Sequence, residues 1–452
     1  MTAALRRSLG SLRVPNYRRY FTGQLVSVSG NWMQMVAEAW LILTLTGSGI
    51  AVGALTAAQF APILLFAAWG GLVADRIPKR RLLTFTQTGM AVPALFLFAV
   101  TAGGSVQPWM VFATAFVRGS VNSIDNPARQ SFVIEMVGAE RVVNAVSLNS
   151  VIIQASRIIG PGIAGALIAL WGVAPCFAVN AATFAVMIVV LRAMRPDELR
   201  PAPVAAREHG AVRAAIRYVA RTPELAVPLV MMGIIGTLAF NFQTVLPLLA
   251  HFTFGGGASA YAALLGAMGV GSILGALANG ARGRTGPRVL TAAALAFGVF
   301  SLLAAAAPTY QLELATLVPL GAASITFAAG INSQLQLSAD PAMRGRVMAL
   351  YAIVFLGSTP IGGPLTGWLA EALGPRSGLV LGGLAALAAA ALAKAAFARL
   401  AAPISSPDLN ERRIRGDGQR PRQRGGEDRA GVLRGAERQQ ADPRAGRALV
   451  RR

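Results

Sequence analysis

Stretches of about 20 mostly apolar residues are long enough to cross a bilayer as an α-helix. They recur along this chain, cut apart by charged, glycine-rich or proline-rich punctuation. Twelve can be separated, at 20–45, 50–74, 82–102, 107–126, 147–170, 174–192, 224–250, 258–280, 288–306, 310–336, 347–370 and 377–399. The pattern predicts an all-α integral membrane protein. Residues 1–19 hold arginines and no long apolar core, so they read as a lead-in rather than a cleavable signal peptide.

Composition agrees with this reading: 54% of residues are hydrophobic and 13% charged, whereas a soluble chain carries about 25% charged residues. The single Cys176 excludes an internal disulfide, and His209 and His251 lie far apart, so neither a metal site nor a cofactor is expected. A net charge of +22 would point to nucleic acid if the basic residues formed a stripe. They do not. Thirty-eight of the 41 Lys and Arg lie at the N-terminus, in alternate connections or from Lys394 onward, and the six opposite connections hold only Arg376. Cytoplasmic loops keep such residues, so both termini are expected in the cytoplasm and no nucleic acid is expected as partner. The remaining two, Arg118 and Arg157, fall inside spans four and five. Residues 401–452 are rich in Arg and poor in large apolar side chains, a composition that reads as a disordered basic tail.

The chain also repeats itself. Arg157-Ile-Ile-Gly160-Pro161-Gly162-Ile-Ala-Gly165 lines up with Thr359-Pro360-Ile-Gly362-Gly363-Pro364-Leu-Thr-Gly367, and Gly71-Leu-Val-Ala-Asp75 echoes Gly275-Ala-Leu-Ala-Asn279. Two six-helix halves, 20–192 and 224–400, are predicted, joined by a linker over 193–223. Within that linker, 210–221 reads as an amphipathic helix at the membrane surface.

Gly71, Asp75, Arg76, Lys79, Arg80 and Arg81, with Pro78 where a glycine is usual, resemble the loop signature between spans two and three of the major facilitator superfamily. Gly30-Asn31-Trp32-Met33-Gln34, Leu45-Thr46-Gly47-Ser48, Asn126-Pro127-Ala128-Arg129-Gln130 and Arg344-Gly345-Arg346-Val347-Met348 resemble its bacterial enterobactin-exporter-like branch, also described as transmembrane secretion effectors, over about residues 12–400. In span four the resemblance is partial: Gly119 fits, but Ala115 and Arg118 stand where Arg and Gln are usual. The resemblance implies the major facilitator fold, with spans one, four, seven and ten around a central cavity, and secondary active transport at the bacterial inner membrane by a monomer. It also makes Gly160, Pro161, Gly162 and Gly165 the helix-bend motif associated with exporters.

An ionisable group in hydrocarbon is costly unless it meets a partner or a wet cavity, which makes each one a functional candidate. Glu38 is the only carboxylate well inside a span; Asp125, Glu313 and Glu371 lie near span ends. Helical spacing places Ser27, Asn31, Gln34 and Glu38 on one stripe of span one, and Arg118, Asn122, Asp125 and Arg129 on one stripe of span four. Glu38 is the expected proton carrier, tuned by Arg118 or Arg157, with His251 as a second candidate. Cavity or substrate candidates are Asn31, Gln34, Asn122, Gln154, Asn241, Thr244, Asn332 and Gln336. The competing role for these neutral side chains is to hold the bundle together, at about 0.6 kcal/mol per interhelical bond.

Gly71, Asp75, Arg76, Lys79, Arg80, Arg81 and Arg129 form an expected gate. Asp75 can bond a neighbouring helix N-terminus or Arg129 only while the inner ends of the halves are closed. Lys79, Arg80 and Arg81 are equally suited to setting topology and meeting lipid phosphate. Trp32, Met33, Met35, Trp40, Phe240 and Phe242 offer apolar contact surface, and no row of carboxylates suits a strongly cationic substrate. A proton-coupled exporter of small amphiphilic molecules, drug-like or siderophore, is therefore expected. An importer or facilitator of the same fold is the alternative. A membrane enzyme is disfavoured by the absence of HExxH, GxSxG and GxxxxGK[ST] patterns.

Overall fold

The computed structural model describes residues 10–200, 211–282 and 286–401; the tail expected beyond position 401 lies outside the described residues. Fourteen α-helices account for most of them. They are α1 (Pro15–Thr46), α2 (Gly49–Arg76), α3 (Lys79–Ala102), α4 (Pro108–Val137), α5 (Val142–Trp171), α6 (Ala174–Arg192), α7 (Ala211–Arg221), α8 (Pro223–Leu238), α9 (Phe242–Leu248), α10 (Ala258–Arg282), α11 (Pro287–Ala305), α12 (Tyr310–Ser338), α13 (Arg344–Leu373) and α14 (Ser377–Ala401). Several open with proline in the first turn, where no intrahelical partner for its missing N–H is needed (Pro15, Pro108, Pro223, Pro287). Gly47, at φ 62°, closes α1 by donating its N–H to the Leu43 carbonyl.

The seventh membrane crossing is not the single helix expected over 224–250. It breaks between Leu238 and Phe242, resumes as α9 and ends in a π-helical turn, Leu249–Thr253. Among the described residues ten elements are long and apolar enough to cross a membrane. The two other helices of that length, α1 and α4, hold buried charged and amide side chains that dilute their apolar character. Lower hydropathy therefore marks the helices with chemistry, within a bundle of twelve membrane-length crossings.

The two halves repeat one packing scheme. In the first, α1 packs on α5 and α6, α2 on α4, and α3 on α4 and α6. In the second, α8 packs on α13 and α14, α10 on α12, and α11 on α12 and α14. The halves join mainly along α2 with α13 and α5 with α10. Small residues permit that approach, as in other membrane bundles: a Cβ on Gly49 or Gly53 would strike the carbonyl of Gly367 or Gly363, and one on Gly165 would strike Ala262. These contacts lie away from the basic end, where Arg76, Lys79, Arg141 and Arg344 cluster.

Candidate functional site

Three helices of the first half meet at Glu38, and a fourth reaches it through Gln34. The carboxylate of α1 is fully buried and accepts hydrogen bonds from Gln34 Nε2 at 2.7 Å and from Gln59 Nε2 of α2 at 2.9 Å. Arg118 of α4 completes an ion pair through Nη2. Gln34 in turn accepts from Asn180 Nδ2 of α6, whose Oδ1 takes the Thr183 hydroxyl at 2.9 Å. Glycine makes this convergence possible: a Cβ on Gly119 would collide with the Gln59 carbonyl, and one on Gly30 with Asn180 and Thr183. Of the two arginines expected near Glu38, Arg118 is the one beside it. Every partner of the pair named here belongs to the first half.

Toward the basic end of the same half a second buried cluster forms. Asp125 accepts from Thr86 Oγ1 at 2.6 Å and Gln87 Nε2 at 3.0 Å, and pairs with Arg129, which also donates to Gln24. Ser27 bridges to Gln87 at 3.3 Å. Sequence reasoning missed Gln24, Gln59, Gln87 and Asn180. Their signal is an amide within an otherwise apolar span.

Arg157 stands apart from both clusters. Its guanidinium lies 5.3 Å from the centre of the Trp32 ring, and neither its Nε nor Gln154 Nε2 has a partner. Asn31 and Asn122 are half-buried. Ser29 and Ser156 bond at 3.0 Å, clamping α1 to α5 beside Gly160, where a Cβ would strike Trp32 and the Ser29 carbonyl. Pro161 is buried, Gly162 faces open space and Gly165 meets α10 of the other half. The motif thus serves two close helix crossings.

The second half is different. Asn241 sits at the break in the seventh crossing and donates to the Thr237 carbonyl at 2.7 Å. Thr244 meets Thr56 across the halves at 3.2 Å. Asn332 and Gln336 bond each other at 2.5 Å. Phe240 gathers Phe242, Phe297, Phe327 and Phe355 around it, with ring centres 5.4–6.4 Å away. His251 is exposed and stands edge-on to Trp40 at 5.6 Å.

At the basic end Gly71 is buried, Asp75 half-buried, and Arg76 and Arg81 exposed. Lys79 reaches Glu135 at 3.9 Å. Arg80 donates to the carbonyls of Leu191 and Arg192 at 2.8 and 3.1 Å, placing a cation on the negative end of α6. Lys79 and Arg80 thus engage protein groups, fastening α3 to α4 and α6. At the opposite end Glu371 of α13 accepts from Ser48 Oγ and Ile50 N, each at 3.0 Å, capping α2 of the other half. Glu371 was not singled out from sequence, because a charge near a span end reads as merely interfacial. Among the described residues no group of His, Cys, Asp and Glu could hold a metal ion.

The family model described as transmembrane secretion effector matches residues 7–413. Among curated proteins, the enterobactin exporter EntS of Citrobacter koseri is 25% identical over 394 residues, 82% of this chain and 90% of its own. The multidrug efflux pump Tap of Mycolicibacterium fortuitum is 26% identical over 366 residues, 77% and 88% respectively. The staphyloferrin A transporter of Staphylococcus aureus is 24% identical over 259 residues, 57% of this chain, and the match spans less than two thirds of its own length, 65%. Among solved structures, a bacterial homologue of the lysosomal transporter Spinster, inward-facing, gives a TM-score of 0.69 at 14% identity, covering 85% of this chain and 98% of its own. The nucleoside transporter NupG gives 0.68 at 13%, covering 84% and 99%. These two likenesses establish the fold.

Proposed function

The chain belongs to the transmembrane secretion effector family of the major facilitator superfamily, and from that premise we propose that it exports small amphiphilic molecules, drug-like or siderophore, in exchange for protons by alternating access. The carrying observation is the buried Glu38–Arg118 pair with its two amide donors. Protonating Glu38 removes one partner of a buried ion pair and leaves Arg118 without a counter-charge. Such a loss costs about 3–5 kcal/mol. Driving a two-state equilibrium from 1:99 to 99:1 takes about 5.5 kcal/mol, so one proton supplies most of the swing between two orientations.

In this reading the basic end and both termini face the cytoplasm of a bacterial inner membrane, which the positive charge of the loops supports. The Gly49–Gly367 and Glu371–Ser48 contacts then close the outer side. Substrate leaving outward requires them to part, while Lys79–Glu135 and Arg80 keep the inner end of the first half rigid. The protein acts as a monomeric carrier, not as an enzyme, with protons as its coupling ion. Everted vesicles test the proposal with a panel of candidate drugs and siderophores: an imposed proton gradient drives accumulation by the native protein, and Glu38→Gln abolishes this response while preserving gradient-free exchange. Undiminished proton dependence in Glu38→Gln overturns the coupling role, and gradient-driven depletion overturns export.

A further inference from the structure

We infer that Arg157, with Gln154 and Trp32, receives an oxyanion (a carboxylate or phenolate) carried by an aromatic substrate. This rests on the transport reading above and narrows its substrate class.

Charge within the spans of the first half is balanced pair by pair, save at one residue. Glu38 is matched by Arg118 and Asp125 by Arg129. No carboxylate among the described residues pairs with Arg157. A guanidinium stays charged at any physiological pH, so Arg157 is a permanent cation awaiting a counter-ion. Its Nε is enclosed and unpartnered, and so is the Nε2 of Gln154, three residues earlier on the same face of α5. Both are donors, and donors in such a place call for an acceptor-rich group. Trp32 supplies the rest of the recognition, since its ring already stacks on the guanidinium and is fixed by the close passage of Gly160.

Position within the bundle selects the occupant. Arg157 is halfway along α5 (Val142–Trp171), about 15 Å from either edge of a 30 Å hydrocarbon layer, too deep for a lipid phosphate. The backbone carbonyl of Arg157 comes close to Gly269 of α10, so this turn of α5 runs along the seam of the two halves, while the guanidinium is directed to Trp32 of α1; an alternating-access substrate would pass beside that seam. A cationic substrate would meet repulsion there.

The test uses full-length protein in nanodiscs, with 2-naphthoate and its uncharged methyl ester as probes read by tryptophan quenching. Native protein binds the carboxylate at least tenfold more tightly than the ester. Arg157→Gln brings the carboxylate down to the affinity of the ester, Arg157→Lys restores part of the preference, and Gln154→Leu weakens the carboxylate severalfold. Trp32→Leu lowers both probes alike. Should Arg157→Gln misfold on size exclusion, the Arg157→Lys and Gln154→Leu pair still decides. Equal affinity for the two probes in native protein, no naphthoate binding, or full naphthoate affinity in Arg157→Gln overturns the inference. Binding needs no gradient, so loss of proton-driven transport with the preference intact would count against the transport reading and leave the anion site standing.

Discussion

The two halves share a packing scheme and differ in what they bury. Where α1 and α4 carry Glu38, Arg118, Asp125 and Arg129 in the first half, their packing counterparts α8 with α9, and α12, sit among Phe240, Phe242, Phe297 and Phe327. Charge pairs are directional and fail abruptly when one partner goes. Aromatic clusters are tolerant, each ring pair contributing about 0.5–1.5 kcal/mol beyond simple burial. The shared geometry thus carries two buried charge pairs in the first half and an aromatic cluster in the second, where the buried carboxylate Glu313 lies at the start of α12.

The sharpest way to break this contrast is to unbalance the pair. Glu38→Ala strands Arg118 and is expected to cost about 3–5 kcal/mol, read as a large fall in thermal midpoint in detergent. The double change Glu38→Leu with Arg118→Met removes both charges and should recover most of that loss while remaining inactive. If the single and double variants melt alike, the pair does not hold the first half.

Next in size is the seam. Gly53→Val drives a side chain into the Gly363 backbone at an overpacking cost of about 1–3 kcal/mol, and the strain is relieved by parting α2 from α13. Leu248 is 1% exposed and lines the cleft at that end, and the single native Cys176 is buried. A Leu248→Cys reporter should therefore label slowly in the parent and rapidly alongside Gly53→Val. Gly271→Val, which collides with Val318 inside the second half, should destabilise without faster labelling. In the aromatic half, Phe327→Leu, which loses one ring pair with Phe240, should cost only about 1 kcal/mol and leave proton-driven uptake in everted vesicles unchanged.

Much of this was legible in the chain because a membrane helix must satisfy its backbone internally, which leaves length and apolarity as strong signals. Glu38 and Arg118 stood out as lone charges in apolar spans; that they meet, and that Arg157 does not join them, depends on how α1, α4 and α5 are rotated. Gln59, Gln87 and Asn180 escaped notice because a single amide forms no stripe along its own helix. The span expected to end at 126 runs on through Pro127 to Val137 as α4, since membrane helices re-satisfy the carbonyl a proline frees. The break near Asn241 had no comparable marker: Thr237, Asn241, Gln243 and Thr244 interrupt the apolar run without a proline at the gap, and the Asn241 side chain bonds only to its own preceding turn.

The gentlest perturbation separates the two ends of the molecule. Glu371 holds Ser48 Oγ and Ile50 N at the start of α2, an anion at the positive end of a helix, worth about 0.3–1 kcal/mol at an exposed position. Glu371→Gln keeps an acceptor oxygen in place but removes the charge. Because the contact spans both halves only while that end is closed, its weakening should raise the open population about twofold to fivefold, by the same energy. The Leu248→Cys reporter should label faster by that factor, with thermal stability barely changed. Glu135→Gln, which loosens Lys79 within one half, should leave labelling at the native rate. Equal acceleration by both variants would mean that the reporter senses general loosening, and the distinction between a latch across the seam and a brace within one half would fail.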